Sequence, residues 1–217
     1  MTGGLLRLMS WLSPVFPTGG FAYSAGLERA VADGLVRDEA GLKDWLSGLL
    51  AHGSPWNDAV LMAESHRAAA DHARLQDIAE LAEALCGSAE RHGEAMRQGR
   101  SFLDAASGWF EPGTLPSSAM PLAVAVGAAA GQAAIDRETA LAAYLHAWVS
   151  NQLQAAIRLS VTGQQGAARI LAALEAEIAG AARRAATSTL DDLGTIAFAA
   201  EIASLNHETL QPRLFLS

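Results

Sequence analysis

The amino-acid sequence predicts an all-α helical bundle, and three observations support this prediction. Apolar residues recur every three or four positions along most of the chain, which is the spacing of a buried helix face. No segment shows the strict alternation of apolar and polar residues that is typical of a half-buried strand. The chain has 217 residues and is 51% hydrophobic, which is enough apolar surface for one core. We therefore predict a single all-helical domain over residues 1–217.

In the first half of the chain, helices are predicted from apolar stripes bounded by capping residues or by glycine and proline. Asp38 precedes one such stripe, and Ser54 with Pro55 opens the next, because carboxylates, hydroxyls and prolines favour helix N-termini. Breaks are expected near Gly87 and Gly93 in the last segment. The predicted helices cover approximately residues 5–12, 24–36, 39–52, 54–72 and 75–106.

The second half begins with the clearest loop, residues 108–121, which contains three prolines together with glycine and serine. The segment 122–135 is rich in alanine and glycine and is shorter than the roughly 20 residues of a membrane-spanning helix. We predict a buried helix there, with small residues that allow close approach of a neighbour. Further helices are predicted over residues 123–134, 138–162, 166–182 and 191–204.

Charge and cysteine content restrict the class of protein. The net charge of −8 argues against a nucleic-acid partner, because phosphate binding needs concentrated positive charge. Cys86 is the only cysteine, so an internal disulfide is excluded and a reducing compartment, the cytoplasm, is expected. We find no secretory signal and expect no membrane association.

No pattern in the sequence predicts catalysis or metal binding. Ser24 is interpreted as a helix N-cap, since Ala22 stands where a nucleophile elbow needs glycine. Pairs of carboxylates lie on amphipathic segments, where a solvated face accounts for them. No two histidines have the four-residue spacing of a helical metal site, although a cluster assembled in three dimensions or across a dimer remains an alternative. We predict no catalytic residue, no metal ligand and no cofactor; the histidines are His52, His66, His72, His92, His146 and His207.

Two segments are unusual for a helical protein. The loop at residues 14–24 carries three aromatic residues, and the C-terminal tail, residues 207–217, ends in apolar residues around Arg213. Chain ends are usually polar and frayed, so an apolar end indicates burial. The tail is expected to bind a partner or to fold back onto its own bundle, and spacing alone does not separate these two outcomes.

These same segments carry a resemblance to a known family. Residues 17–28, PTGGFAYSAGLE, resemble the N-terminal pattern of the F-type urease accessory proteins (UreF). The middle and C-terminal motifs of that family are similar to Trp148, Asn151-Gln152, residues 163–166, His207-Glu208-Thr209, Arg213-Leu214-Phe215 and Ser217. The chain departs from the family pattern at Gln211, where a tyrosine is frequent, and at Leu216, where a basic residue is frequent.

The resemblance implies a scaffold without a cofactor of its own. Such a protein dimerises, binds the D-type (also called H-type) accessory protein and through it recruits the nickel-carrying G-type GTPase. This complex docks on apo-urease and inserts nickel, and the scaffold modulates GTP hydrolysis by the partner GTPase. The residues that we assign to partner binding are Tyr23, Glu28, Arg213, Leu214, Phe215 and Ser217.

This hypothesis carries expectations for single substitutions. Tyr23→Ala and Glu28→Ala are expected to leave thermal unfolding nearly unchanged, and truncation of Arg213 or Phe215 to weaken partner binding by about 2 kcal/mol. Two alternatives stay open. One is a helical adaptor or regulator of another complex, and the other is an enzyme whose site forms only in three dimensions. A deep pocket lined by polar groups with perturbed titration would favour the enzyme.

Overall fold

The structure is a computed structural model that describes residues 2–217. It contains no strand within that range, which confirms the all-α prediction. The α-helices, in chain order, are α1 (Thr2–Trp11), α2 (Leu27–Ala32), α3 (Glu39–His52), α4 (Ser54–Arg67), α5 (His72–Ala84), α6 (Ala89–Ala106), α7 (Leu122–Gln132), α8 (Arg137–Arg158), α9 (Gln164–Thr187) and α10 (Phe198–His207). None of these helices is both long enough and apolar enough to cross a membrane.

Several predicted helix boundaries hold because the capping chemistry is local. Asp38 caps α3 by accepting a hydrogen bond from the Gly41 amide at 2.8 Å, and the helix ends at His52 as expected. The loop at 108–121 is confirmed between α6 and α7, apart from a short 3₁₀ turn at its start. Ser54 is the first residue of α4, while Gly53 occupies the N-cap position.

Several predicted boundaries are wrong. The helix predicted over 54–72 ends at Arg67, since Asp71 caps the next helix, which begins at His72. The helix predicted over 24–36 is limited to α2, because Ala25 and Gly26 both have left-handed backbone conformations. Gly93 lies inside α6 and does not break it. In the segment predicted as a helix from 191 to 204, residues 193–197 are not helical, since the Gly194 and Ile196 amides donate to residues of α3 and α4 instead.

The small residues of α7 allow it to pack closely against α4, as the sequence predicts. Eight of its residues are buried. A Cβ on Gly127 would lie 2.4 Å from the Met62 carbonyl oxygen, and one on Gly131 would lie 2.5 Å from the His66 carbonyl oxygen. Both glycines face α4, so the absence of their side chains sets the distance between the two helices.

One continuous cluster of buried apolar residues runs through the bundle. Helix α4 is central, since it contacts α3, α7, α8 and α9. Helices α8 and α9 pack along each other, and α2 packs against α8 and α10. The pair α2 and α10 therefore lies beside the aromatic loop and the tail, and these segments form the site described next.

Candidate partner-binding site

The aromatic loop is anchored in the core by its own side chains. Phe16 packs on Phe102 with ring centroids 5.5 Å apart. Tyr23 is 5% exposed, and its hydroxyl oxygen accepts a hydrogen bond from Arg97 Nε at 2.9 Å. Asn151, from the middle motif, donates to the Tyr23 carbonyl oxygen at 3.3 Å. The loop is therefore held from two sides, and Tyr23 is part of the interior.

The end of the tail lies against residues 22–24 of this loop. The Leu216 amide donates to the Ala22 carbonyl oxygen at 2.8 Å, and both the amide and the hydroxyl of Ser24 donate to the Ser217 carbonyl oxygen. The Ser217 hydroxyl donates to Glu94 of α6 at 2.9 Å. The prediction that Ser24 is a helix N-cap is wrong, because Gly26 occupies that position of α2, although the Ser24 hydroxyl still accepts a hydrogen bond from the Glu28 amide at 3.3 Å. The main role of Ser24 in the structure is to bind the tail.

Phe215 anchors the tail in the bundle. Its side chain is 2% exposed, and the Arg158 guanidinium lies 4.1 Å from the centroid of its ring. Arg158 also donates to the Phe21 carbonyl oxygen at 2.6 Å, so it connects α8, the loop and the tail. The tail folds back onto its own bundle, which is one of the two outcomes left open by the sequence.

Glu28, on α2, is the acceptor for most of the remaining tail contacts. Its carboxylate accepts hydrogen bonds from the amides of Leu214 at 2.6 Å and Phe215 at 3.1 Å. It also lies 3.0 Å from Nε2 of His207, the last residue of α10, which is fully buried. Backbone amides are strong donors, so a buried carboxylate with these partners fixes the course of the chain.

On its other side His207 faces α6. Its Nδ1 lies 2.7 Å from Glu90, and the same Glu90 carboxylate is paired with Arg213 of the tail. We name the group formed by Glu28, Glu90, His207 and Arg213 the tail clamp. It joins α2, α6, α10 and the tail in one network of charged hydrogen bonds.

The six residues assigned to partner binding are thus brought together, but mostly in the interior. Tyr23, Glu28, Phe215 and Ser217 are buried, whereas Leu214 is 63% exposed and Arg213 is partly exposed. Burial of Tyr23 and Glu28 is contrary to the expectation that their truncation leaves thermal unfolding unchanged. Their role in partner binding stays a prediction.

Beside the tail clamp, α10 has an apolar face that no part of residues 2–217 covers. Phe198, Ile202 and Leu205 are 70%, 57% and 50% exposed, and their spacing places them on one side of the helix. Leu214 and Leu216 of the tail are also exposed. The sequence does not predict this face, because an apolar stripe on a helix has the same spacing whether it covers the core or a partner. Glu90 is not predicted either, because it meets His207 of the C-terminal motif only in the folded chain.

A cavity of about 790 Å³ lies between the aromatic loop, α6 and α8. Its polar wall contains Asp58, Arg91, Glu94 and Tyr144. Burial raises the pKa of Asp58 above its ordinary value and raises that of Tyr144 well above its own. Burial alone would lower the pKa of Arg91, but the two carboxylates raise it above its ordinary value.

These polar groups are bonded mainly to one another. The Tyr144 hydroxyl donates to Asp58 at 3.3 Å, and Arg91 lies 3.1 Å from Glu94 and 3.8 Å from Asp58. Among residues 2–217 there is no group of three or more His, Cys, Asp or Glu side chains placed to hold a metal ion. Gln152, from the middle motif, lines the cavity and is 2% exposed.

The chain is similar to known urease accessory proteins over nearly its whole length. The family model described as UreF matches residues 36–175, which is more than half of the chain. The urease accessory protein UreF of Rhizobium leguminosarum bv. viciae is 57% identical over 98% of this chain and 96% of its own length. The protein of the same name from Brucella ovis is 56% identical over 100% of this chain and 95% of its own length. This chain therefore belongs to the UreF family of urease accessory proteins.

Proposed function

We propose that this protein is a non-catalytic scaffold for urease maturation. It binds the D/H-type accessory protein and, in that complex, the G-type GTPase, whose GTP hydrolysis it modulates. The assembly docks on apo-urease in the cytoplasm and inserts nickel, which is cargo and not a resident cofactor. Membership of the UreF family supports this proposal. A relative that this chain matches over 95% of its length is named a urease accessory protein.

The uncovered apolar face of α10 is the observation that carries the proposal. Three large side chains at positions 198, 202 and 205 lie in water on one side of a single helix. Covering each of them would contribute roughly 1.5–3 kcal/mol of apolar transfer free energy before the costs of association. Such a face is typical of a helix that docks on another protein. We assign it to the D/H-type partner.

The tail extends this surface. Leu214 and the partly exposed Arg213 are available for direct contact, whereas Tyr23, Glu28, Phe215 and Ser217 would act by holding the tail in place. The structure of the clamp supports this division, because every one of its hydrogen bonds to the tail is made by a buried or partly buried group.

A homodimer is part of the proposal and would need a second surface. Helix α1 has three exposed apolar side chains, Leu5, Leu6 and Met9. We assign the contact between copies to this helix. Light scattering at several protein concentrations tests it: Leu5→Ser with Met9→Ser should give a monomer where the unchanged protein gives a dimer, and a dimer that persists in the variant would contradict it.

A pull-down against the purified partners tests the function. The tagged chain should retain the D/H-type protein alone and the G-type GTPase only when the D/H-type protein is present. Nickel and GTP are added separately and together, so that dependence on each is measured. Failure to retain the D/H-type protein under all conditions would contradict the proposal.

The cavity beside Asp58 supports a second candidate, an enzyme with a site assembled in three dimensions. The polar wall of this cavity contains groups with perturbed pKa values, which is the feature that would favour catalysis. We rank it below the scaffold, because Asp58 and Tyr144 bond to each other within the cavity wall. We expect the purified chain to hydrolyse neither GTP nor urea. Turnover that is lost in Asp58→Asn would favour the enzyme.

A further inference from the structure

Gln152 of α8 is a buried polar residue whose side-chain oxygen is not used by the fold. The residue is 2% exposed and takes no part in the tail clamp. Its Oε1 atom accepts no hydrogen bond from any group in residues 2–217. A buried oxygen without a donor destabilises the folded state, so packing alone does not explain this residue. A donor from outside the chain would explain it.

A second buried polar atom without a partner belongs to the same cavity. Gln152 and Trp11 both line the cavity of about 790 Å³ between the aromatic loop, α6 and α8. Trp11 is 1% exposed, and its indole Nε1 donates to no acceptor in the described part of the chain. An indole N–H only donates hydrogen bonds, whereas a carboxamide both donates and accepts them. The cavity wall therefore has an acceptor and a donor that folding leaves unused.

The charged groups of the cavity wall are, in contrast, matched with one another. Asp58 and Glu94 contribute two negative charges, and Arg91 and Arg158 contribute two positive charges. Arg91 pairs with both carboxylates, and Arg158 donates to a carbonyl oxygen of the aromatic loop. A charged ligand would find no unpaired charge of opposite sign there, and burying it would be unfavourable. The wall therefore favours an uncharged ligand.

The remaining wall is largely apolar and aromatic. Phe16, Phe102 and Trp148 line the cavity together with Trp11. Small-molecule sites have volumes of roughly 300–1,000 Å³ and combine apolar walls with a few polar groups that fix the orientation of the ligand. The volume and the composition of this cavity agree with that description.

We propose that the cavity binds a small uncharged molecule with a flat aromatic body and a carboxamide-like group. Gln152 Oε1 accepts a hydrogen bond from the N–H of the ligand, and Trp11 Nε1 is a donor for its carbonyl oxygen. The aromatic side chains of the wall pack against the flat body. This inference goes beyond the proposed scaffold function and does not depend on it.

Titration of the full chain with three probes of similar size tests the site. Naphthamide carries the carboxamide, ethylnaphthalene lacks a polar group, and naphthoate is charged. Binding is followed in proton–nitrogen correlation spectra, in which the side-chain amide of Gln152 and the indole N–H of Trp11 give separate signals. Naphthamide should shift both signals and bind at least about tenfold more tightly than either other probe, because it alone pairs the buried polar atoms without bringing a charge. Naphthamide that shifts neither signal, or naphthoate that binds as tightly, would overturn the proposal.

Removal of the amide tests the role of Gln152. Gln152→Met keeps an unbranched side chain, and it should fold because Oε1 has no hydrogen bond to lose. This variant should bind naphthamide no more tightly than ethylnaphthalene. Gln76→Met is the matched control, because Gln76 is exposed on α5 and does not line the cavity. The control should keep the preference for naphthamide, and a preference that persists in Gln152→Met would contradict the role of Gln152.

A third variant tests the location of the site independently of Gln152. Ala147 lines the cavity and is half-buried, so a larger side chain there occupies space that the ligand needs. Ala147→Leu should therefore weaken the binding of both uncharged probes, while its melting temperature shows that it is folded. Unchanged affinity for naphthamide in Ala147→Leu would show that the probe binds outside this cavity, and the proposal would fail.

Discussion

A single buried residue, Glu28, determines much of how the C-terminal tail is held in this protein. It lies in the N-terminal segment whose sequence resembles the family pattern, yet the hydrogen bonds of its carboxylate are to its own tail and to His207. The sequence predicts a surface role for this residue, because an acidic residue is rarely buried. The structure gives a different reason for its presence. Glu28 provides hydrogen-bond acceptors for two backbone amides and an imidazole that folding removes from water.

Glu28→Ala should therefore destabilise the protein, by about 3 kcal/mol, because it leaves a buried histidine and two amides without their acceptor. Thermal or urea unfolding measures the change. Glu83→Ala is the control, since its histidine partner is nearly half exposed and such pairs contribute less than about 1 kcal/mol. Equal small effects of the two substitutions would show that Glu28 is not a structural residue.

Asp58 gives a prediction for pH. Burial raises its pKa in the folded state above the ordinary value of 3.8, so the folded chain binds more protons than the unfolded chain in this range. Stability attributable to Asp58 is therefore present below the unfolded pKa and is lost as pH rises through the folded pKa. Asp58→Asn should flatten this fall in the free energy of unfolding, measured by urea titration from pH 4 upward. A fall of unchanged size in the variant would contradict the assignment.

At the scale of elements, α4 and α7 are fitted to each other by glycine. Gly127→Ala should destabilise the protein by about 2 kcal/mol or more, which is the usual cost of an overpacked core. The reason is that its Cβ would lie 2.4 Å from the Met62 carbonyl oxygen. Gly48→Ala, in the interior of α3 with no atom within 4 Å of its Cβ, should instead stabilise by about 0.5–1 kcal/mol. The changes in the free energy of unfolding of the two variants should therefore have opposite signs. If both substitutions stabilise the protein, α4 and α7 are loosely packed.

Which elements the sequence could predict depends on how local their causes are. The start of α3 at Asp38 and the loop at 108–121 follow from capping and proline chemistry within a few residues. The start of the helix predicted at 191–204 does not, since the Gly194 and Ile196 amides bond to α4 and α3. Such bonds depend on the tertiary arrangement, which periodicity does not contain.

For the whole molecule, the sequence predicts the class of fold and, through motifs at both ends of the chain, the family. It does not predict that the two motifs bind each other. Ser24 and Ser217 are 193 positions apart and hydrogen-bond in the folded chain, and the clamp unites residues from α2, α6, α10 and the tail. The two motifs therefore contact each other in the folded chain, and the apolar face of α10 beside them stays exposed.

The central claim is that this uncovered face, together with the tail, binds the D/H-type accessory protein. The most direct test is a calorimetric titration of that protein with the double variant Phe198→Ser/Ile202→Ser. Leu35→Ser is the control, because Leu35 is also exposed, at 54%, but lies after α2 and outside this surface. We predict an unchanged melting temperature and an affinity at least about 100-fold lower, or roughly 2.7 kcal/mol, in the double variant alone. Equal affinities of the double variant and the wild-type chain would contradict the account.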